Sequence, residues 1–181
     1  PRADLDPVEV HYSHPMAILY TSGTTGPAKG ALMSHHHCYS WAAAMAMNLG
    51  YTDGDSYFSP LPLFHTDAQM FGVYLPLIYG TRATLVDRFS ASRFWSEVKA
   101  EAATHIHFLG GILQILLKQP PGALDRSHGA RIAWGGGCPI DVWRPFETRF
   151  GMQIRECYGM TEASTTRSPS TPRTLSFGSS G

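Results

Sequence analysis

What this chain lacks narrows its function before any motif is read. Neither sign of charge is in excess: Lys and Arg total 14, Asp and Glu total 14, and the formal net charge is +0. There is no basic patch of the kind that grips a nucleic-acid backbone, and no run of like charge that reads as a tail. Its apolar runs are too short or too interrupted to span a bilayer, so no transmembrane segment is expected. Cysteine is scarce and odd in number: Cys38, Cys138 and Cys157, with no CxxC pair. That argues against a disulfide scaffold and a cysteine zinc site, and suits a reduced cytoplasmic protein. No secretory signal pattern and no internal repeat is visible. The one biased stretch, rich in Ser, Thr, Pro and Arg from Thr165 to Thr174, reads as a loop.

What is present is enough for a domain with a sizeable core: 181 residues, 43% of them hydrophobic. Strand and helix patterns alternate along it. Met16 to Tyr20 reads as a strand, and Ser34 as the N-cap of a helix from His35 to Asn48, with Cys38, Trp41, Ala42 and Met45 at helical spacing and Gly50 ending it. Ser56 to Ser59 is a strand candidate. Ala68 to Tyr79 is apolar almost all round, which predicts a buried helix kinked at Pro76 and stopped by Gly80. Arg82 to Val86 follows as a strand, then a helix capped by Ser90 that runs to Ala102. Thr104 to Leu109, Arg131 to Trp134 and Gln153 to Glu156 are further strands, with helices from Gly111 to Lys118 and Pro139 to Phe150 between them. Such alternation implies an α/β fold, a mostly parallel sheet covered on both faces, with ligands gathering beyond the carboxyl ends of the strands.

The richest chemistry lies in Tyr20 to Gly30. Four Ser and Thr residues, three glycines and Lys29 fall within eleven positions. Glycines let backbone N–H groups approach an anion, hydroxyls add donors, and the ammonium supplies counter-charge, so the stretch can cradle a polyphosphate. It is not the P-loop of nucleotide triphosphatases, which needs Gly-Lys-Ser/Thr. Here Ala28 precedes Lys29, and Gly30 stands where the magnesium-binding hydroxyl belongs. A flexible linker shares the composition, yet needs neither a preceding strand nor a lysine in a fixed place. Three consecutive histidines, His35 to His37, tempt a metal reading; neighbours on a helix point about 100° apart and cannot converge on one ion.

Positions 20 to 30 resemble, without a gap, the phosphate loop of the adenylate-forming enzymes: acyl-CoA synthetases, peptide-synthetase adenylation domains and luciferases. The resemblance implies that Thr21, Ser22, Gly23, Thr24, Thr25, Gly26 and Lys29 meet the phosphates of ATP. Cys157 to Glu162 is similar to a second motif of that superfamily, with Cys157 where glycine is common. By that likeness Tyr158 stacks on adenine with Gly159 and Met160 beside it, Thr161 bonds the α-phosphate, and Glu162 helps hold Mg²⁺. Gly135 to Pro139 resembles the stretch lying against adenine, which assigns Gly136, Gly137 and Cys138 to the nucleotide. Pro62 to Gln69 resembles the acyl-pocket motif and puts His65 beside the carboxylate substrate. Phe89 to Trp95 and Gln119 to Pro121 resemble crotonobetaine/carnitine-CoA ligases and their bacterial fatty-acyl relatives.

The likeness implies part of the large N-terminal domain of an ATP-dependent acyl-CoA ligase, spanning 1–181 with its motifs between 16 and 164. The C-terminal lid and its catalytic lysine are expected downstream, so residues 1–181 alone are not expected to turn over. The implied partners are a carboxylic acid, ATP with Mg²⁺, and CoA; the oligomeric state is not specified. Two other readings stay open at this point: an adenylation domain that loads a carrier protein, and a nucleotide-binding homologue that has lost the chemistry.

Overall fold

The structure is a computed structural model and describes residues 6–21 and 26–163. Ser22, Gly23, Thr24 and Thr25 lie outside the described residues, as does the Thr165 to Thr174 stretch.

Five strands form a wholly parallel sheet: β3 (Ser56–Ser59), β4 (Arg82–Leu85), β5 (His105–Leu109), β6 (Ile132–Gly136) and β7 (Gln153–Glu156). They stand side by side in the order β4-β3-β5-β6-β7. The chain goes from β3 outward to β4, then returns past β3 to β5. Right-handed crossovers turn that reversal into helices on opposite faces of the sheet.

Side-chain alternation divides the core in two. Phe58, Ile106, Phe108, Ala133 and Ile154 point to one face, under α4 (Phe94–Ala100), α5 (Ile112–Leu117) and α6 (Ile140–Phe150). Tyr57, Ile132 and Trp134 point to the other, under α1 (His35–Leu49) and the helical run from Thr66 to Tyr79. The sheet is therefore covered on both faces, as the alternating pattern implies.

Three local expectations are corrected. First, β1 (Pro15–Thr21) is not a strand of this sheet. It pairs antiparallel with β2 (Lys29–Ser34) in a separate two-stranded sheet, Tyr20 opposite Gly30 and Thr21 opposite Lys29. A parallel partner needs a connection of about a dozen residues or more. The stretch between Thr21 and Lys29 is shorter, so the phosphate-loop sequence joins a hairpin.

Second, the buried helix is not one α-helix kinked at Pro76. It runs as α2 (Thr66–Gln69), a π turn (Met70–Tyr74) and α3 (Leu75–Tyr79). Leu75 N–H bonds Met70 O, a wider turn placed just before the proline that cannot donate. Gly80 does end it, at φ 64°. Third, Ser90 is no N-cap. Its carbonyl accepts from Arg93 N–H at 3.2 Å in a turn, and the helix begins only at Phe94.

The N-terminus of α1 is closed. Ser34 Oγ accepts from His37 N–H at 3.2 Å, while His35 and His36 N–H donate to the carbonyls of His14 and Tyr12. These partners take up donors that the first turn of a helix otherwise leaves free.

At the amino ends of the strands sits a polar staple. Arg131 Nη2 lies 2.7 Å from both oxygens of Asp55, and Thr52 N–H donates to Oδ2 at 2.9 Å. Burial pushes the Asp55 carboxyl up, but Arg131 and the Thr52 N–H outweigh it and hold the group down to about 2. His105 Nδ1 is 3.7 Å from Asp55 Oδ1. Burial nonetheless lowers His105 to about 4, and lowers His107, bonded to Ser59 Oγ at 3.2 Å, to about 3.

Two predictions follow from this frame. His105 and His107 stay neutral when folded but take up protons near 6.5 when unfolded, so the stability they permit is present above pH 6.5 and lost as pH falls towards 4 for His105 and towards 3 for His107. Asp55 contributes above its unfolded value and loses that only as pH falls towards 2, so it cannot produce a loss between 6.5 and 4. Unfolding free energies from urea titrations should drop over that window by up to about 1.4 kcal/mol per pH unit for each titrating histidine, and His107→Gln should flatten the slope; an unchanged slope contradicts the account. Separately, a Cβ on Gly135 would stand 1.8 Å from the Phe108 carbonyl oxygen. Gly135→Ala should cost about 1–3 kcal/mol or more, read as a shifted midpoint; an unshifted midpoint would show that β5 and β6 need not lie so close.

Candidate functional site

The carboxyl ends of β5, β6 and β7 are joined beyond the strands themselves. Gly110 N–H donates to Gly136 O at 2.9 Å, and Cys157 N–H donates to Gly135 O at 2.8 Å. Gly137 takes φ 76°, and a Cβ there would meet Gly110 Cα at 3.5 Å; one on Gly136 would meet Cys157 O at 3.2 Å. The three strand ends thus approach with glycine at the points of contact.

These ends open into a cavity of about 280 Å³. Leu109 and Gly110 line it from β5, Gly136 and Gly137 from β6, and Cys157, Tyr158 and Gly159 from beyond β7. Trp41 of α1 and Asp67 of α2 complete the lining. Tyr158 is 69% exposed, so its ring is free to stack on a flat group. The chemistry is a slot edged by glycine backbone, with one ring free at its rim: it suits a flat heterocycle better than a bulky branched one.

The remaining groups have definite electrostatics. Burial raises the Asp67 carboxyl against the opposing pull of His65. Cys157 is pushed up to about 12 by burial and by the nearby Asp67 and Glu156 carboxylates, so near neutral pH it is a thiol and not a nucleophilic thiolate. Trp41 Nε1 and the Tyr57 hydroxyl are buried with no hydrogen-bond partner among the described residues.

Four of the residues expected from the sequence, Gly136, Gly137, Tyr158 and Gly159, line this one cavity. Thr161 lies in the turn that follows, where Met160 bridges to Ala163, and its Oγ1 is 3.1 Å from Thr66 Oγ1. Glu162 is exposed beside it. His65 is the exposed N-cap residue of α2, its ring 4.5 Å from that of Phe64.

Cys138 does not line the cavity. Its N–H donates to Glu156 Oε1 at 2.7 Å, and its side chain packs against the core under α4, α5 and α6. Burial, with Glu156, Glu147 and Asp141 nearby, pushes that thiol up to about 12. Thr21, Gly26 and Lys29 belong to the hairpin and its connection and are not among the lining residues. Thr21 Oγ1 donates to Lys29 O at 3.4 Å and so helps close the hairpin, leaving the Lys29 side chain exposed.

Sequence reasoning missed Trp41, Leu109 and Gly110 as site residues, and Asp67, inside the Pro62 to Gln69 motif, was given no role. Leu109 and Gly110 carried a usable signal, because they end a strand in the same way as Gly136. Trp41 did not: its helical spacing marks a core residue, and only packing shows which side of it meets a cavity. A second cavity of about 360 Å³ is larger but has no glycine edge and is lined largely by apolar side chains, among them Tyr12, Met16, Tyr74 and Ile78. The residues singled out from the sequence for nucleotide chemistry are not there.

The donor set fits the groups the sequence resemblance implies. Glycine-edged backbone and a free tyrosine ring suit adenine. The Thr161 hydroxyl and Glu162 carboxylate supply hard oxygen atoms of the kind Mg²⁺ takes together with phosphate.

Comparison with known proteins agrees with that geometry. Residues 2–181 match the family described as AMP-binding enzyme. The chain is 37% identical over 155 residues to long-chain fatty acid transport protein 2 of Rattus norvegicus, covering 85% of this chain and 25% of that protein. It is 39% identical over 149 residues to the medium/long-chain-fatty-acid–CoA ligase FadD6 of Mycobacterium tuberculosis, covering 80% of this chain and 24% of that protein. The chain therefore spans about a quarter of the length of these curated relatives. Among solved structures, O-succinylbenzoate coenzyme A synthetase of Bacillus subtilis in complex with ATP and magnesium superposes with a TM-score of 0.78 at 28% identity, covering 91% of this chain and 35% of that one. A malonyl-CoA ligase ternary product complex with methylmalonyl-CoA and AMP gives 0.80 at 28% identity, covering 89% and 36%. With the family match running from residue 2 to residue 181 and the glycine-edged cavity at the strand ends, this chain belongs to the AMP-binding enzyme family.

Proposed function

We propose that the protein is an ATP-dependent, AMP-forming acyl-CoA ligase and that this chain supplies its nucleotide-binding part. The observation that carries the reading is the cavity at the ends of β5, β6 and β7, which joins Gly136, Gly137, Tyr158 and Gly159 directly to the turn bearing Thr161 and Glu162. Two segments far apart in sequence meet there, each matching a nucleotide motif. The names of the relatives and structural neighbours, several of them CoA ligases, support CoA over a carrier protein as the acceptor.

The reaction has two steps. A carboxylate oxygen attacks the α-phosphorus of ATP, the bond to the bridging oxygen breaks, and pyrophosphate leaves with that electron pair. The CoA thiol, giving up its proton, then attacks the acyl carbon, and AMP departs. In the first step charge grows on phosphate oxygens, and fixed donors must meet it. Lys29 supplies a cation from the hairpin, the hydroxyls of the Tyr20 to Gly30 stretch add donors, and Thr161 donates a hydrogen bond to the α-phosphate. Glu162 would help hold Mg²⁺, which when bound would supply counter-charge to the phosphates. Tyr158 and the two glycines hold adenine so that the α-phosphate falls beside Thr161. His65, exposed at the start of α2, borders the carboxylate. The same proposal puts the protein in the cytoplasm, a reading supported only by its few, unpaired cysteines.

In the full-length protein, Lys29→Ala and Glu162→Gln should each slow carboxylate-dependent pyrophosphate exchange by roughly 10²-fold. Both side chains are exposed, so melting temperatures should move by little. Exchange at the wild-type rate in both variants would remove the assignment. Product analysis with CoA against a carrier-protein thiol separates the ligase from a carrier-loading domain: the ligase reading predicts the CoA thioester.

A further inference from the structure

Thr66 opens α2 and is buried, 7% exposed, between His65 and Asp67 in sequence. Its Oγ1 stands 3.1 Å from the Oγ1 of Thr161, a residue 95 positions further on. The turn that carries Thr161 is small. The Met160–Ala163 bridge closes it, with Ala163 N–H donating to Met160 O at 3.1 Å. Around Thr161, residues Tyr158, Gly159, Met160 and Glu162 are all exposed. The bond to Thr66 therefore ties an otherwise open turn to a buried point of the fold.

A threonine hydroxyl has one proton and can accept two hydrogen bonds. If Thr161 spends its proton on Thr66, it has none left for an anion. If Thr66 donates instead, Thr161 is occupied as an acceptor and keeps its own proton for a phosphate oxygen. A donated hydrogen bond also polarises the accepting O–H and strengthens what it donates. Thr66 is buried and the Thr161 turn is open, so Thr66 is the fixed member of the pair and Thr161 the member that meets a ligand.

We propose that Thr66 is a positioning residue for adenylate formation: its hydroxyl donates to Thr161 and holds the Thr161 hydroxyl aimed to donate to the phosphate. The proposal rests on the role given above to Thr161. It also connects the segment beginning at His65, on the carboxylate side, to the phosphate side of the site through one hydrogen bond.

The test uses the full-length protein and four variants, Thr66→Val, Thr66→Ser, Thr161→Val and the Thr66→Val/Thr161→Val double variant. Pyrophosphate exchange is measured against ATP concentration, with a melting temperature for each. Thr66→Val should lower kcat up to about tenfold, the worth of one hydrogen bond, with the KM for ATP within about twofold. Thr66→Ser should restore the rate. Once Thr161 is already valine, adding Thr66→Val should cost nothing further, since the partner hydroxyl is gone. A purely structural Thr66 would lower the melting temperature and slow both backgrounds alike. That result, or a wild-type rate in Thr66→Val while Thr161→Val is slow, overturns the proposal and leaves the role of Thr161 standing. A wild-type rate in Thr161→Val removes both. Should Thr66→Val fail to fold, Thr66→Ala and Thr66→Ser give the same comparison, with serine active and alanine slow.

Discussion

At Gly135 the two central strands lie so close that no side chain fits between them, and the site depends on this approach. A Cβ at that position would stand 1.8 Å from the Phe108 carbonyl oxygen, well inside any contact a folded chain tolerates. The closeness lets the ladder run on past the strands, through Gly110 to Gly136 and Cys157 to Gly135. It brings Leu109, Gly136 and Cys157 to the rim of a single cavity. Glycine here is a matter of space at the strand and of backbone angle in the loop: Gly137 alone of the lining glycines on β6 and beyond needs a positive φ. A sheet of five parallel strands without this glycine run would still bury its two cores, but would lose the slot between its strand ends.

The opposite end of the same sheet does a different job. There the Asp55–Arg131 ion pair joins the amino ends of β3 and β6, and hydrogen bonds between Ser56 and Thr104 join β3 to the start of β5. Polar groups at both ends and apolar clusters on both faces fix the strands in one register, which matters because a shift of one residue would exchange the two faces. The buried neutral histidines carry a cost in acid, yet they face the α1 side of the sheet and take no part in the proposed chemistry. Stability and reactivity are thus divided between the two ends.

Much of this was legible in the sequence. Strands Ser56–Ser59 and Gln153–Glu156 fall where the pattern put them. The helix after Ser34 starts on its cap and stops at Gly50, which takes φ 61°. Such boundaries rest on local chemistry, caps and glycines, and need no knowledge of the rest of the chain. What was not legible depends on distant partners. The strand before the phosphate loop looks the same whether it joins a parallel sheet or a hairpin; the short connection decides. The π turn before Pro76 relieves a conflict that periodicity does not register. Trp41 reads as core from its spacing, and it is core, at 2% exposed, while also lining the cavity. Tyr158 and Gly136 were found because motif and strand end coincide. Asp67 and Thr66 fall within the Pro62 to Gln69 motif, but their places beside the cavity and Thr161 appear only when α2 packs beside the ends of the strands.

The central claim is that adenine sits at the carboxyl ends of β5, β6 and β7 rather than in the larger apolar cavity beside α1 and α3. Photoaffinity labelling of the full-length protein with 8-azido-ATP, followed by peptide mapping, tests it directly. The account predicts label on peptides containing residues 136–138 or 157–160, removed by excess ATP. ATP-protected label confined to peptides around Tyr12, Tyr39 or Tyr74, with none at the strand ends, would contradict it.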